Sequence, residues 1–397
     1  MLRVLTLSTL FPNAAQPTLG IFVERQTRGL AALPDVEVEV VSPVGLPPWP
    51  LSRHPHYAAR AKLPREEPWK GLRVHRPRFP VLPRVGEARA AKAMARRLLP
   101  FLKRLRARFP FDVIDAEFFW PDGPAAMQLS QALGVPFSIK ARGADIQYWG
   151  RRPGIGGQIV AAGRAAGGLL AVSAALKEVM IGLGMPGDKV AVHYTGVDLD
   201  RFAPADRAAA KARLGVAGPL IVTAGALIPR KGQALTIAAM AHLPEATLLI
   251  AGDGPDREAL ERLAAPFGTR IRFLGSQPHE ALPALLAAAD AMVLPSISEG
   301  LANVWVEALA CGTPIVISDI GGASEVLDRP EAGRIVPRDP EAVAGAVREL
   351  LSNPPPQSAV RAAAERFSWE KNARELRDHL ASLASPSLQG RGSVERH

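Results

Sequence analysis

The chain has 397 residues, enough for two or three domains, with hydrophobic residues at 48% and a net charge of +10. Its apolar runs are short and interrupted, which argues against a membrane-spanning helix, and its one cysteine, Cys311, excludes an intrachain disulfide and fits a reducing cytoplasm. The basic balance favours anionic partners: a phosphate-rich substrate, an anionic membrane face or nucleic acid. Nucleic acid is the weakest of the three, since zinc spacing, a Walker loop and an RNA-binding aromatic signature are all missing.

Residues 3–8 read as a buried strand rather than a signal peptide, because no cleavage site follows. A loop ending at Gly20 and a helix over 21–30 come next. Strand, glycine loop, helix is the layout of a phosphate site, although Gly20 taken alone reads as a turn residue. A second strand covers 36–44. Residues 47–83, rich in proline and arginine and holding His54, His56 and Trp69, read as an irregular excursion. Cys311, beside Gly312, reads as core packing.

Residues 87–108 carry eight basic residues and no acid after Glu87. Met94, Leu98, Phe101, Leu102 and Leu105 follow helical spacing, and Pro100 predicts a kink or break. Such a helix can lie on an anionic membrane or pack on a sheet by its apolar stripe. A strand at 111–116, a loop at 117–123, a helix at 124–133 and a strand at 137–140 follow. Arg142 stands in the next loop. Its planar fork binds carboxylate or phosphate, so it faces either a ligand cleft or an internal salt bridge with Asp145 or Glu117.

After a strand at 169–173 and a helix at 174–183, a boundary falls near Val197. The second half opens with a strand at 220–225. Lys231-Gly232 then leads into a helix, placing a mobile cation beside free amides. Strands at 246–251 and 271–275, a helix at 282–289 and a strand at 291–295 lead to Ser298-Glu299-Gly300-Leu301-Ala302-Asn303. Glu299 stands at the carboxyl end of a strand, where open α/β sheets bind ligands. The amides of Gly300, Leu301, Ala302 and Asn303 are read as free donors at a helix start, and Glu307 lies eight residues beyond Glu299. A carboxylate for hydroxyls, amides for phosphate and a second carboxylate suit a nucleotide-sugar. The opposed carboxylate pair of glycoside hydrolysis is not evident.

The pattern Ser298-Glu299-Gly300, Glu307-Ala308 and Ala310-Cys311-Gly312, with Pro314, resembles the signature of the retaining glycosyltransferases of family 4. That resemblance implies a GT-B fold: an α/β chain of two Rossmann-like, doubly wound parallel-sheet domains facing across a cleft. It covers nearly the whole chain. Further segments resemble the family: Trp120-Pro121-Asp122-Gly123, Arg142-Gly143-Ala144-Asp145-Ile146, Gly196-Val197-Asp198, Lys231-Gly232 and Gly252-Asp253-Gly254-Pro255. The departures are Asp115 and Glu117 for histidines, Lys140 for a threonine, Arg142 for a common histidine, Thr195 for an asparagine and Ala226 for a diphosphate-binding arginine.

The resemblance implies an acceptor-side domain over 1–196, a nucleotide-sugar domain over 197–368, a helix over 369–384 returning to the first domain and a disordered tail over 385–397. It implies sugar transfer from a nucleotide-diphosphate sugar to a lipid-linked or polysaccharide acceptor, with retention. Glu299 and Arg142 are the implied catalytic residues. Gly20, Arg230, Lys231, Gly300, Leu301, Ala302 and Asn303 would face the donor phosphates, Ser276 the base and Glu307 the ribose. No metal and no further cofactor is expected, with cations and amides stabilising the leaving diphosphate. The expected setting is the cytoplasm, with the basic helix near an anionic membrane. Two rivals stay open: a sugar-nucleotide 2-epimerase using Asp115 and Glu117, and a non-catalytic nucleotide-sugar binder.

Overall fold

The computed structural model describes residues 1–82 and 86–389. Two compact units divide the chain: 1–196 together with the segment from Trp369, and 197–368. The first carries strands β1 (Leu2–Leu7), β2 (Val36–Val41), β3 (Val44–Leu46), β4 (Glu66–Trp69), β5 (Leu72–His75), β6 (Arg78–Pro80), β7 (Val113–Ala116), β8 (Phe137–Ala141), β9 (Gly168–Ala171) and β10 (Val190–Val192). Eight of them form one sheet in the order β10-β9-β8-β7-β1-β2-β5-β4, parallel except for the β4–β5 pair. The short pair β3–β6 stands apart. The second unit carries β11 (Leu220–Ala224), β12 (Thr247–Ala251), β13 (Ile271–Gly275), β14 (Ala291–Leu294), β15 (Ile315–Ser318) and β16 (Gly333–Val336). Their order, β13-β12-β11-β14-β15-β16, is that of the doubly wound dinucleotide-binding sheet.

Unbroken apolar runs such as Ile221-Val222 and Met292-Val293-Leu294 make these strands, because helices cover both faces of a parallel sheet. Each sheet reverses its strand order at one place, between β1 and β7 in the first and between β11 and β14 in the second. The crevice outside the carboxyl ends of those strands is where such sheets take ligands.

Three expectations need correction. Residues 47–83 are not irregular: they contribute a helix, Pro55–Ala61, the strand β5 and the edge strand β4. Alternation was hidden there because β4 is half-exposed and holds Pro68 at an edge, where a missing N–H costs nothing. Pro100 does not break its helix, which runs unbroken over Ala90–Arg108. Met94, Leu98, Leu102 and Leu105 are buried against the core. At roughly 1.5–3 kcal/mol each, that burial outweighs the ~3 kcal/mol an internal proline costs. The last helix, Trp369–Gln389, runs beyond 384, with Leu376, Leu380 and Ala384 buried beside Leu2, Val4 and Leu30. The predicted disordered tail lies outside the described residues from 390 onward.

Candidate functional site

In the second unit, the switch point is built by the loops after β11 and β14. The first loop closes as a single turn, Pro229–Lys231, and Gly232 holds a left-handed φ of 76°. A Cβ on Gly232 would stand 2.3 Å from the Pro295 carbonyl oxygen. Only glycine therefore lets the lysine loop close onto the end of β14. The Ile297 N–H, donating 2.8 Å to the Arg230 carbonyl, ties the two loops together.

This juxtaposition brings Glu299 between two cations. Lys231 Nζ lies 2.7 Å from Glu299 Oε1, and Arg230 Nη1 lies 3.3 Å from Oε2. Arg230 also donates to the Ser298 carbonyl. Glu299 is buried, Lys231 is mostly covered and Arg230 is about half exposed. One carboxylate against two cations leaves a net positive charge at the strand ends, which suits an anionic ligand. Ala226, at the position of the family's arginine, is exposed, and its carbonyl accepts from the Gln233 amide at 3.0 Å.

The helix Asn303–Ala310 begins later than the free-donor reading assumed. Gly300 and Leu301 form its approach. The leading amides belong to Ala302, Asn303 and Val304, while the Trp305 N–H donates to the Ala302 carbonyl at 3.0 Å. Gly300 is engaged through its carbonyl, which accepts the Gly322 N–H at 2.8 Å. One helix turn on, Glu307 is buried and its Oε1 lies 2.7 Å from His279 Nε2. Sequence reasoning missed His279. Its ring is edge-on to Phe202 at 5.3 Å, so the imidazole is held from two sides. The signal was its place in the loop after β13, three residues past Ser276. Ser276 itself is exposed, and Gln277 turns back to the Leu274 carbonyl at 2.6 Å. Burial beside Glu307 pushes the Cys311 thiol up to about 12, the state of an inert core thiol.

In the first unit, Gly20 caps the helix Ile21–Ala31 with a φ of 66°, and a Cβ there would stand 2.2 Å from the Leu10 carbonyl oxygen. That close approach accounts for the glycine by packing alone.

Arg142 takes the internal course. Its guanidinium pairs with the Glu117 carboxylate and donates 3.0 Å to the Glu117 carbonyl, and its side chain is 12% exposed. Asp145 is not its ion partner. That carboxylate instead accepts the backbone N–H groups of Arg142, Gly143 and Phe119. The guanidinium is thus held by Glu117 within the first unit, the internal pairing that the sequence offered beside a ligand-facing one.

Around this pair lies a buried polar network. Gln26 donates to Glu117 and accepts from Lys140 Nζ at 2.6 Å. Lys140 also lies 2.8 Å from His193 Nδ1, whose other nitrogen reaches the Asn372 carbonyl at 2.9 Å. Burial, reinforced by Arg142, pulls Lys140 down to about 7, and burial with Lys140 nearby keeps His193 well below its ordinary value. Burial and the neighbouring Glu117 push Asp115 well up. Burial would raise Glu117 too, but the charges of Arg142 and Lys140 overcome it and hold it low.

Comparison with known proteins agrees with this architecture. The profile described as Glycosyltransferase Family 4 matches residues 19–201, and that described as Glycosyl transferases group 1 matches 206–376. TuaC of Bacillus subtilis, a glycosyltransferase assigned to teichuronic acid biosynthesis, is 28% identical across 87% of this chain and 88% of its own. A D-inositol 3-phosphate glycosyltransferase of Frankia alni is 32% identical across 70% and 75%. A GDP-mannose-dependent phosphatidylinositol monomannoside mannosyltransferase of Mycolicibacterium smegmatis is 36% identical across 49% and 56%, so that match spans about half of either chain. Among solved structures, sucrose-phosphate synthase of Thermosynechococcus elongatus superposes with a TM-score of 0.78 over 97% of this chain and all of its own, at 21% identity. HepE of Anabaena in complex with UDP-glucose gives 0.71 over 96% and 100%, at 19%. With both halves matched, and the doubly wound sheets and the Glu299–Glu307 element in place, the chain belongs to glycosyltransferase family 4, the glycosyl transferases group 1, and has the GT-B fold.

Proposed function

We propose that this glycosyltransferase draws its sugar from a nucleotide-diphosphate sugar and passes it, with retention of configuration, to a lipid-linked or polysaccharide acceptor. The observation that carries the reading is the Lys231–Glu299–Arg230 cluster at a sheet switch point, with Glu307 one helix turn beyond. In this reading Lys231 and Arg230 neutralise the charge that grows on the leaving diphosphate, without a metal. The amides of Ala302 and Asn303 assist them, Glu299 holds sugar hydroxyls and Glu307 takes the ribose diol. The relatives support the class: one is a GDP-mannose-dependent phosphatidylinositol monomannoside mannosyltransferase, a structural neighbour is seen in complex with UDP-glucose, and a third is assigned to teichuronic acid biosynthesis. Asp115 and Glu117 are buried and bound into the Arg142 network, which argues against the epimerase alternative.

The reading includes work at the cytoplasmic face of a membrane. The apolar stripe of Ala90–Arg108 is buried, so contact would be electrostatic, through exposed Lys92, Arg96, Arg97, Lys103 and Arg104. No described helix is long and apolar enough to cross a membrane. Cosedimentation with anionic vesicles, lost on raising salt, is the expected result; binding that resists salt would contradict it.

The donor test is thermal stability against UDP-, GDP- and ADP-sugars. A shift with one nucleotide, lost in both Lys231→Ala and Glu307→Ala, is expected. No shift with any of them would remove the donor site. Free nucleotide released only with acceptor present identifies transfer, and the anomeric proton signal of the product reads retention.

A further inference from the structure

The loop that carries Glu299 leaves its sheet after Leu294 and has no ladder of its own. Its backbone groups still need partners, so whatever holds them fixes where Glu299 stands. Pro295 has no N–H to offer, only a carbonyl. The chain then turns tightly, with the Ser296 N–H donating to the Leu294 carbonyl at 2.9 Å. Side chains from three other strand ends hold carbonyls of this loop. Arg338, just past β16, donates from Nε to the Pro295 carbonyl at 3.0 Å. Ser318, the last residue of β15, donates from Oγ to the Ser296 carbonyl. Arg230, past β11, donates to the Ser298 carbonyl. Glu299 follows directly and meets Lys231.

The three holders are not alike. Ser318 is buried, and Arg230 also faces the Glu299 carboxylate at 3.3 Å. Arg338 is exposed, and among the described residues no carboxylate pairs with it. It reaches from two strands away in the sheet to a neutral carbonyl 43 residues distant in sequence. An exposed side chain adds little to the core, so the loss of this bond falls on the loop.

We infer that Arg338 is a positioning residue for Glu299: by holding the Pro295 carbonyl it fixes the start of the loop whose end presents that carboxylate. The inference rests on the reading above that Glu299 holds sugar hydroxyls. A misplacement of about 1 Å in such a group can cost about a hundredfold in rate.

The test separates the bond from the charge. Glutamine places an amide N–H as many bonds from Cα as arginine places its Nε–H, without the charge; lysine keeps the charge but carries its N–H groups one atom further out. In the full chain without ligand, Arg338→Ala should speed hydrogen exchange of the Ile297 amide, which donates to the Arg230 carbonyl, by about tenfold or more. Calorimetric titration with UDP-glucose, GDP-mannose and ADP-glucose, each beside its free nucleoside diphosphate, reads the sugar contact. Arg338→Ala should weaken the sugar nucleotide that binds by about tenfold and its diphosphate by less than about threefold. A melting temperature within about 3 °C of wild type shows that the variant folds. Arg338→Gln should restore both readouts, and Arg338→Lys should restore neither. Unchanged Ile297 exchange in Arg338→Ala, rescue by lysine but not by glutamine, or an equal loss for sugar nucleotide and free diphosphate would each overturn the inference. The last two outcomes would make Arg338 a direct phosphate contact. Glu299→Gln should show the same selective loss. If it shows none while Arg338→Ala still frees the Ile297 amide, the sugar role of Glu299 fails and Arg338 keeps its hold on the loop.

Discussion

His279 and Arg142 each hold a buried carboxylate. His279 donates to Glu307, so it holds that carboxylate in one rotamer before a ligand arrives. A hydrogen bond to a charged group contributes about 1.5–3 kcal/mol, roughly 10–100-fold in affinity. His279→Ala should therefore weaken nucleotide-sugar binding by about tenfold or more, with kcat less affected than KM. His279→Gln, which keeps a donor, should retain most of the affinity; steady-state kinetics on both variants checks the split. Arg142 answers a fully buried Glu117. Arg142→Ala leaves that charge unpaired, at a cost of about 3–5 kcal/mol, whereas Arg142→Met with Glu117→Leu should recover most of the loss. Urea unfolding of the single and double variants measures this. An Arg142→Ala protein of native stability but without activity would support a catalytic role for Arg142 instead.

At the level of elements, the loop after β7 joins the start of the next helix, Asp122–Leu133, to the loop after β1. Asp122 Oδ2 accepts the Thr9 N–H at 2.9 Å, while Oδ1 is buried without a partner among the described residues. Burial, with Asp145 and Glu117 nearby, raises its carboxyl to about 7. The folded state therefore holds a proton that the unfolded chain releases near 3.8. Stability from this group is full at low pH and falls as pH rises towards 7, by up to about 4 kcal/mol. Asp122→Asn should flatten that fall, though not abolish it, because Asp145 is raised by burial in the same way. Lys140, lowered to about 7 by burial and Arg142, acts in the opposite sense: its contribution is present at high pH and lost as pH falls through 7. Chemical unfolding of wild type and Asp122→Asn at about pH 5 and pH 8 separates the two.

For the whole molecule, the last helix belongs to the first unit. Leu376 and Leu380 are buried in its core, and Asn372 takes the His193 ring. Ending the chain at 368 removes those apolar contacts, at roughly 2–5 kcal/mol per leucine lost, and should leave the first unit unfolded. The second unit has adjoining ends: the Val197 N–H donates to the Phe367 carbonyl at 2.7 Å. A fragment of residues 197–368 should fold alone and keep the nucleotide-dependent thermal shift. Circular dichroism of both truncations checks the pair.

The sequence by itself determined the fold class and the position of the Glu299–Glu307 element. Buried parallel strands must read as unbroken apolar runs, and Glu299, Glu307 and Lys231-Gly232 stand at strand ends whose positions follow from those runs. It also carried the basic helix, since helical spacing survives one proline. Only the tertiary structure decided which partner each polar group meets. Glu299 meets Lys231 across 68 residues, Glu307 meets His279 across 28, and Arg142 meets Glu117 across 25. The excursion over 47–83 became a helix and the last two strands of the first sheet for the same reason. Half-exposed strands leave a weak pattern, and such polar partners meet only where loops far apart in the chain are carried to one edge of a sheet.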